Sequence, residues 1–539
     1  MDRRRFLKTA AALAAGSAFG SSLVSCAPAT LKINIPCLGP AEAPTPVPGM
    51  NYIKASEIGC ALDCDLGSGR NKYTGGTATD DGPRINAAMA GASAANPITL
   101  IIDGSALISG LFLPAGGSWG IAGLGCGTGF FVKAGTNNDG IHNGPDALIP
   151  SNPGPPAPTV RGTNVTLSNF TLNGNEGNGF SGDSTSGTHQ GNITADFFGI
   201  NLANLNNIAL ENLVVVNTPS FHIRLSNVGN VMATGCVIQG VGANSDGLHF
   251  DGPANDITIS NCSFAVGDDS IALNCPEGYE GSISRVAVTN CTFNSLSLMR
   301  LYTTIGNSPF TIDTVSVSNC TGTFAAAAFL IGLFGGSPLN AVTGLTISDC
   351  TLTAPVLLGV TECFGTIALT NVTFVPSAAA GGTWDPSETN HTPALLRTPP
   401  GFAGVTYVGT SLTLQNCVFQ RNSNMNVAGL ILENNSAINS LEFNGLTFQN
   451  GGSNMAAPYL IDMVQGSIGQ LIFDSLQSGN FVAPVSAGGF SSVGSVSGMG
   501  VLASGWEFPD AVMANGVPYI SATTGMPSIK VNGMVEPYT

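Results

Sequence analysis

Charge is what this sequence has least of. Only 9% of its 539 residues are Asp, Glu, Lys or Arg, and the balance is acidic, −16. That excludes a basic nucleic-acid surface, and an anionic polymer is repelled unless a local basic pocket receives it. Histidine is scarce: five residues, scattered singly. With no HExxH and no CxxC, no zinc centre is expected, and no other metal or cofactor. No G-x-S-x-G is present, so a serine nucleophile on a sharp elbow is not expected either. Past the N-terminus no run approaches the roughly 20 strongly apolar residues that a span needs. What abounds is glycine, 70 residues, beside a hydrophobic fraction of 43%. This composition describes an ordered, turn-rich protein rather than a disordered one.

The first 25 residues read as a targeting segment outside the fold. Arg3-Arg4-Arg5-Phe6-Leu7-Lys8 resembles a twin-arginine export signal. A weakly apolar stretch follows, and Leu23-Val24-Ser25-Cys26 resembles a lipobox, with cleavage before Cys26 and lipidation of its thiol. The expectation is an exported lipoprotein of the cell envelope, anchored to the membrane at Cys26, with a Pro-rich tether over residues 26–50, acting as a monomer. Thirteen cysteines in an exported chain would ordinarily suggest disulfides, but the repeat argues against that for half of them.

One phrase recurs, a short alternation of apolar and small polar residues closed by Asn or Asp. It begins at Asn164, Asn207, Asn230, Asp256, Arg285, Thr314 and Gly344, with weaker copies from Thr366, Ser411, Ser440 and Gln470. From Asn207 onward the strong copies step by 23, 26, 29, 29 and 30 residues, the signature of a solenoid. The alternation is that of a half-buried strand, and the closing Asn marks a turn able to adopt the left-handed conformation. The next position is Phe170, Leu213, Cys236, Cys262, Cys291, Cys320, Cys350, Val372, Cys417, Leu446 and Leu476. This column is expected to point inward, with cysteine acting as a small hydrophobe. Cys37, Cys60, Cys64 and Cys126 lie outside it and are the disulfide candidates.

A strand and turn every 22–30 residues, without helical periodicity between, gives an all-β, right-handed parallel β-helix over residues 51–480. Adjacent coils of such a fold lie about 4.8 Å apart. A capping helix is expected to start near Asp80-Asp81-Gly82-Pro83, because an open solenoid end needs a cover. Residues 481–539 read as a small β-rich C-terminal tail. Insertions at 143–160, 175–197 and 376–407 should project as loops; the last carries Trp384, His391 and Arg397, candidates to wall a cleft.

Two acidic motifs stand one coil apart, Asn244-Ser245-Asp246-Gly247 and Gly267-Asp268-Asp269-Ser270, preceded by Asn217-Thr218-Pro219-Ser220-Phe221-His222. This ordered set resembles the polygalacturonase-type glycosidases, glycoside hydrolase family 28, within the pectate-lyase-like β-helix superfamily. The good match runs over roughly residues 205–300. The resemblance implies cleavage of a polysaccharide glycosidic bond with inversion. Asp268 would be the general acid, and Asp246 and Asp269 would position and deprotonate water. Chemistry agrees: the reaction needs one protonated and one ionised carboxyl, and crowded like charges keep one of them protonated. Inversion predicts carboxyl groups roughly 6.5–9.5 Å apart. Asp268 and Asp269 can cooperate only if Gly267 permits a bend, since strand neighbours face opposite sides.

Asn244, His249, Arg300 and Tyr302 are the candidate substrate-binding residues, His249 having a structural hydrogen-bonding role as its alternative. The family's Gly-His-Gly and Arg-Ile-Lys motifs are not intact. Leu298-Met299-Arg300-Leu301-Tyr302 resembles the latter with Tyr in place of Lys. Losing the Lys that helps hold a uronate carboxylate, with Tyr302 and Tyr279 nearby, favours a neutral or sparsely charged sugar. Two other readings remain at this point: a polysaccharide lyase of the same fold, and a non-catalytic surface lipoprotein that binds glycan.

Overall fold

In the computed structural model the described residues lie between 39 and 537. Outside the description are residues 1–38, 144–155, 177–197, 304–309, 333–341, 378–393, 399–407, 422–427, 451–456 and 498–512, with shorter stretches, Cys126 among them. The export motif, Cys26, Cys37, Trp384 and His391 therefore fall outside it. The fold is a right-handed parallel β-helix, with one helix among the described residues. Its contacts divide into two units, residues 1–295 and 296–539. Among the described residues no helix is long and apolar enough to cross a membrane.

The first unit carries the expected capping helix, Gly82–Met89. Pro83 fits its first turn, where no backbone N–H is needed. Asp81, just before it, ties the helix to the chain by accepting from the amides of Ala61 and Leu62 at 2.8 and 2.9 Å. Ile85 and Met89 are fully buried. Long strands Ile200–Glu211, Ile223–Thr234 and Leu248–Ser260 stack in parallel register, followed by Asp269–Asn274 and Ile283–Thr289. Equivalent apolar residues meet coil on coil: Ile200 beside Ile223, Ile223 beside Leu248, Leu248 beside Ile271. Phe264 stacks on Phe293 with ring centres 5.2 Å apart.

The turn column behaves as its composition requires. Asn169, Asn212, Asn261 and Asn290 all have positive φ, and Gly235 stands in the one copy of this unit without Asn. Asn is the ordinary non-glycine tenant of that conformation. The phrase's first residue also has positive φ, at Asn164, Asn207, Asn230, Asp256 and Arg285; Arg285 is held by its ion pair with Asp256. The next column is buried as expected, Phe170, Leu213, Cys236, Cys262 and Cys291 all at 2% exposure or less. Cys60 and Cys64, read as disulfide candidates, are instead buried thiols. Burial pushes both up to about 12.

The second unit continues the same ladder within itself. Phe329 lies beside Leu358 and Leu358 beside Leu396, while Cys320, Cys350, Val372, Cys417 and Leu446 extend the inward column. Arg397, expected in a loop, ends the strand Ala394–Arg397 and is buried, because the coil resumes before that point. The coil also passes the boundary expected near 480: Phe481–Ala487 and Ser492–Ser497 still pair in parallel with Ala457–Met463 and Gly466–Gln477. A separate three-stranded antiparallel sheet, 518–537, forms the β-rich end.

Candidate active site

The 22-residue step delivers contact between adjacent coils of the first unit. Leu248 pairs with Ile271 and His249 with Ala272, so the residues just ahead of these strands also meet. Asp246 lies two positions before its strand, and Asp269 opens the next one. The Gly247 amide donates to the Asp269 carbonyl at 2.9 Å, and the Asp269 amide donates to Asp246 Oδ1 at 3.3 Å. A Cβ on Gly247 would sit 2.5 Å from the Ser270 carbonyl oxygen, so only glycine allows this approach.

Gly267 and Asp268 form the bend that the paired aspartates require, with Ser245 Oγ accepting from the Gly267 amide at 3.0 Å. One carboxylate oxygen each of Asp246, Asp268 and Asp269 comes within 4.8 Å of the others. Asp246 and Asp269 are buried; Asp268 is partly exposed. The 6.5–9.5 Å expectation is thus not met by the nearest oxygens. Adjacent coils are too close to hold carboxylates that far apart when all three side chains turn to one point.

His249 is not at a sugar-facing surface. It is fully buried, its ring stacked on Phe221 at 3.9 Å and 8°. Its Nδ1 lies 2.7 Å from Asp246 Oδ2, and its Nε2 lies 3.0 Å from Asp251 Oδ1 and 3.5 Å from a Glu277 oxygen. Arg224 closes the network: Nε and Nη2 donate to Asp251 Oδ2 at 2.8 and 2.7 Å, and the guanidinium lies over the Phe198 ring. Ser226 also bonds Asp251, and Asn274 Nδ2 donates to Glu277 at 2.9 Å. Burial works against charge on Asp251, but Arg224 and His249 outweigh it and hold its carboxyl below the usual range.

His222, on the preceding coil, is the opposite case. Its Nδ1 bonds the Asp246 carbonyl at 2.9 Å, and burial pushes it down to about 4. A Cβ on Gly240 would stand 2.5 Å from its Nε2, so glycine there makes the room.

Asn244 sits at the turn before Asp246 with φ +60°, partly buried. Tyr279 is buried, its hydroxyl accepting from Asn204 Nδ2 at 3.1 Å. Arg300 and Tyr302 belong to the second unit, on the strand Ser297–Tyr302. Tyr302 is buried; Arg300 is partly buried and pairs in register with Leu330, which pairs with Gly359. Sequence reasoning missed Arg224 and Glu277. The alternation His222, Arg224, Ser226 held the signal for the former, because Arg224 registers beside His249 and Ser226 beside Asp251.

Two groups among the described residues bring three ligand-type atoms within 4.8 Å, Asp246/Asp268/Asp269 and His249/Asp251/Glu277. In the second, Arg224 and the imidazole already occupy the carboxylates. The first is tied to that same imidazole through Asp246.

The comparisons with known proteins bear on this site. Residues 156–321 match the model of glycosyl hydrolases family 28. A search of curated protein sequences finds no match. Similar solved structures include the family 28 exopolygalacturonase of Yersinia enterocolitica, with 13% identity, TM-score 0.47, and coverage of 82% of this chain and 78% of that one. The polygalacturonase of Erwinia carotovora has 13% identity, TM-score 0.41, and coverage of 76% and 96%. The Streptococcus pneumoniae surface adhesin PfbA has 12% identity, TM-score 0.44, and coverage of 91% and 98%. The matched segment contains both acidic motifs and the buried network beneath them, so it is over residues 156–321 that the chain is similar to glycosyl hydrolases family 28, and this match supports a glycosidase.

Proposed function

We propose that the three aspartates carry out the hydrolysis, Asp268 as general acid and Asp246 with Asp269 holding and deprotonating the water. The observation that carries this reading is the meeting of three carboxylates from adjacent coils within 4.8 Å. Three carboxylates that close cannot all ionise comfortably. Asp268 is the most exposed of them, as a residue that protonates a leaving oxygen must be. Asp246 is held by His249, and the Asp269 amide donates to it. Inversion rests on the family resemblance and not on the oxygen spacing; proton NMR of the first-formed product should show the inverted anomer.

The substrate class we infer is a neutral or sparsely charged polysaccharide. The family's uronate-holding Lys is replaced by Tyr302, which is buried, and the residue registered beside Arg300 on the next coil is Leu330. Incubation of the soluble chain from residue 27 with neutral and acidic glycans tests both statements. New reducing ends on neutral glycans support them. Greater release from polygalacturonate would overturn the substrate class, and an unsaturated, ultraviolet-absorbing product would replace hydrolysis with elimination. We further infer export and lipidation at Cys26 from the N-terminal motifs; a labelled fatty acid should enter the wild-type chain and not Cys26→Ala.

A further inference from the structure

We propose that His249 is a buried imidazolium that positions Asp246 and holds it ionised, a positioning residue rather than a sugar ligand. The inference rests on the hydrolytic reading above for the role of Asp246, but not for the charge of His249.

The geometry leaves little choice. Both ring nitrogens face carboxylate oxygens, Nδ1 toward Asp246 at 2.7 Å and Nε2 toward Asp251 at 3.0 Å. A neutral imidazole donates through one nitrogen and presents a lone pair at the other. That lone pair would be pressed against a carboxylate oxygen with no water to intervene, since ring and acceptors are all buried. With both carboxyl groups ionised, only the doubly protonated ring satisfies both contacts.

Charge counting gives the same answer. The groups facing the ring are Asp246 and Asp251 from its own segment, Glu277 from beyond the next strand, and Arg224 from the preceding one. Phe221 covers one face, and Ala272 is its register neighbour. Further out, Asp139 acts electrostatically on Arg224 and His142, and Asp269 meets Asp246 through its amide. Three carboxylates against Arg224 alone leave a buried excess of two negative charges; an imidazolium halves it. Burial opposes the charge, but the bonds to Asp246 and Asp251 outweigh it and hold His249 well above its ordinary value. The ring therefore keeps its proton from acid through neutral pH and loses it only as pH rises through that raised value.

The consequence falls on Asp246. An N⁺–H donated to Oδ2 stabilises its ionised form and fixes its rotation. The assignment of base to Asp246 and acid to Asp268 would then follow from what lies beneath Asp246.

Two measurements test this on the soluble chain from residue 27. The first is carbon NMR of the protein labelled at histidine. With five histidines the His249 signal is assignable through His249→Gln, or through substitution of the other four if that variant does not fold. An imidazolium signal persisting to pH 8 is expected. A signal that titrates near its ordinary value of about 6.5, or shows a neutral tautomer at pH 7, overturns the proposal.

The second is the pH profile of His249→Gln on whichever glycan the wild type degrades. The proposal expects kcat to fall roughly 100-fold, KM to change little, and the acid limb to move to higher pH. A raised KM with an unmoved acid limb would make His249 a sugar ligand and overturn it. An imidazolium signal in a chain that cleaves no glycan supports the charged network and fails the hydrolytic reading instead.

Discussion

At the scale of single residues, two histidines one coil apart are held in opposite states by their partners. His222 meets a backbone carbonyl and apolar packing, and burial keeps it neutral down to about 4. His249 meets carboxylates on both sides and keeps its proton. The two make different demands on pH. A depressed native value makes His222 a source of stability present above its ordinary value of about 6.5 and lost as pH falls toward 4, roughly 3 kcal/mol in all. A raised native value makes His249 a source of stability fully present below about 6.5 and lost as pH rises from there through the raised native value. Urea unfolding at pH 7 and pH 4 should therefore show a smaller loss on acidification in His222→Gln than in wild type; an equal loss would refute this assignment.

The three aspartates were legible in the sequence because turn motifs repeat at the coil interval. The role of His249 was not. Its partners Arg224 and Glu277 are 25 and 28 residues distant in the chain and become neighbours only through coil register and the bend after Asn274.

At the scale of elements, the strand and turn phrase was readable because each position has one job. The turn position takes Asn for its left-handed conformation, and the next position takes a buried apolar residue or cysteine. Replacing Asn261, at φ +54°, with Ala should cost about 1 kcal/mol in urea unfolding, while Asn261→Gly should be nearly neutral; equal costs would place the effect in the side chain instead.

Gly247 makes a second element-level prediction. Its Cβ would meet the Ser270 carbonyl at 2.5 Å and the Phe264 ring at 2.7 Å, so Gly247→Ala should push apart the coils that carry Asp246 and Asp269. Activity should fall about 100-fold in a folded chain, as circular dichroism would show; unchanged turnover would mean that coil separation at Gly247 does not set the aspartates. The end of the solenoid was not legible. The late coils lose the phrase but keep the pairing, because backbone hydrogen bonds need no particular side chain.

At the scale of the whole molecule, the scarcity of charge is itself a prediction. At −16, with few basic residues, the chain should bind a neutral glycan almost independently of salt. Affinity for a polyanionic glycan should instead rise as salt shortens the screening length from about 10 Å at 0.1 M to about 3 Å at 1 M. Titration calorimetry at the two salt concentrations checks this, and binding of the polyanion that weakens with salt would reveal a basic subsite. The solenoid itself was legible from its period, and the reaction from the paired motifs. The sugar was not, because the strand that resembles the family's Arg-Ile-Lys motif carries Tyr302 where that motif has its Lys.

The most direct test of the central claim is Asp268→Asn, made in the soluble chain and assayed for reducing ends on a glycan that the wild type degrades. The substitution keeps the shape and removes the transferable proton. The account predicts that release falls at least about 1,000-fold while the thermal midpoint and circular dichroism stay those of wild type. Release within a few-fold of wild type from the folded variant would contradict it.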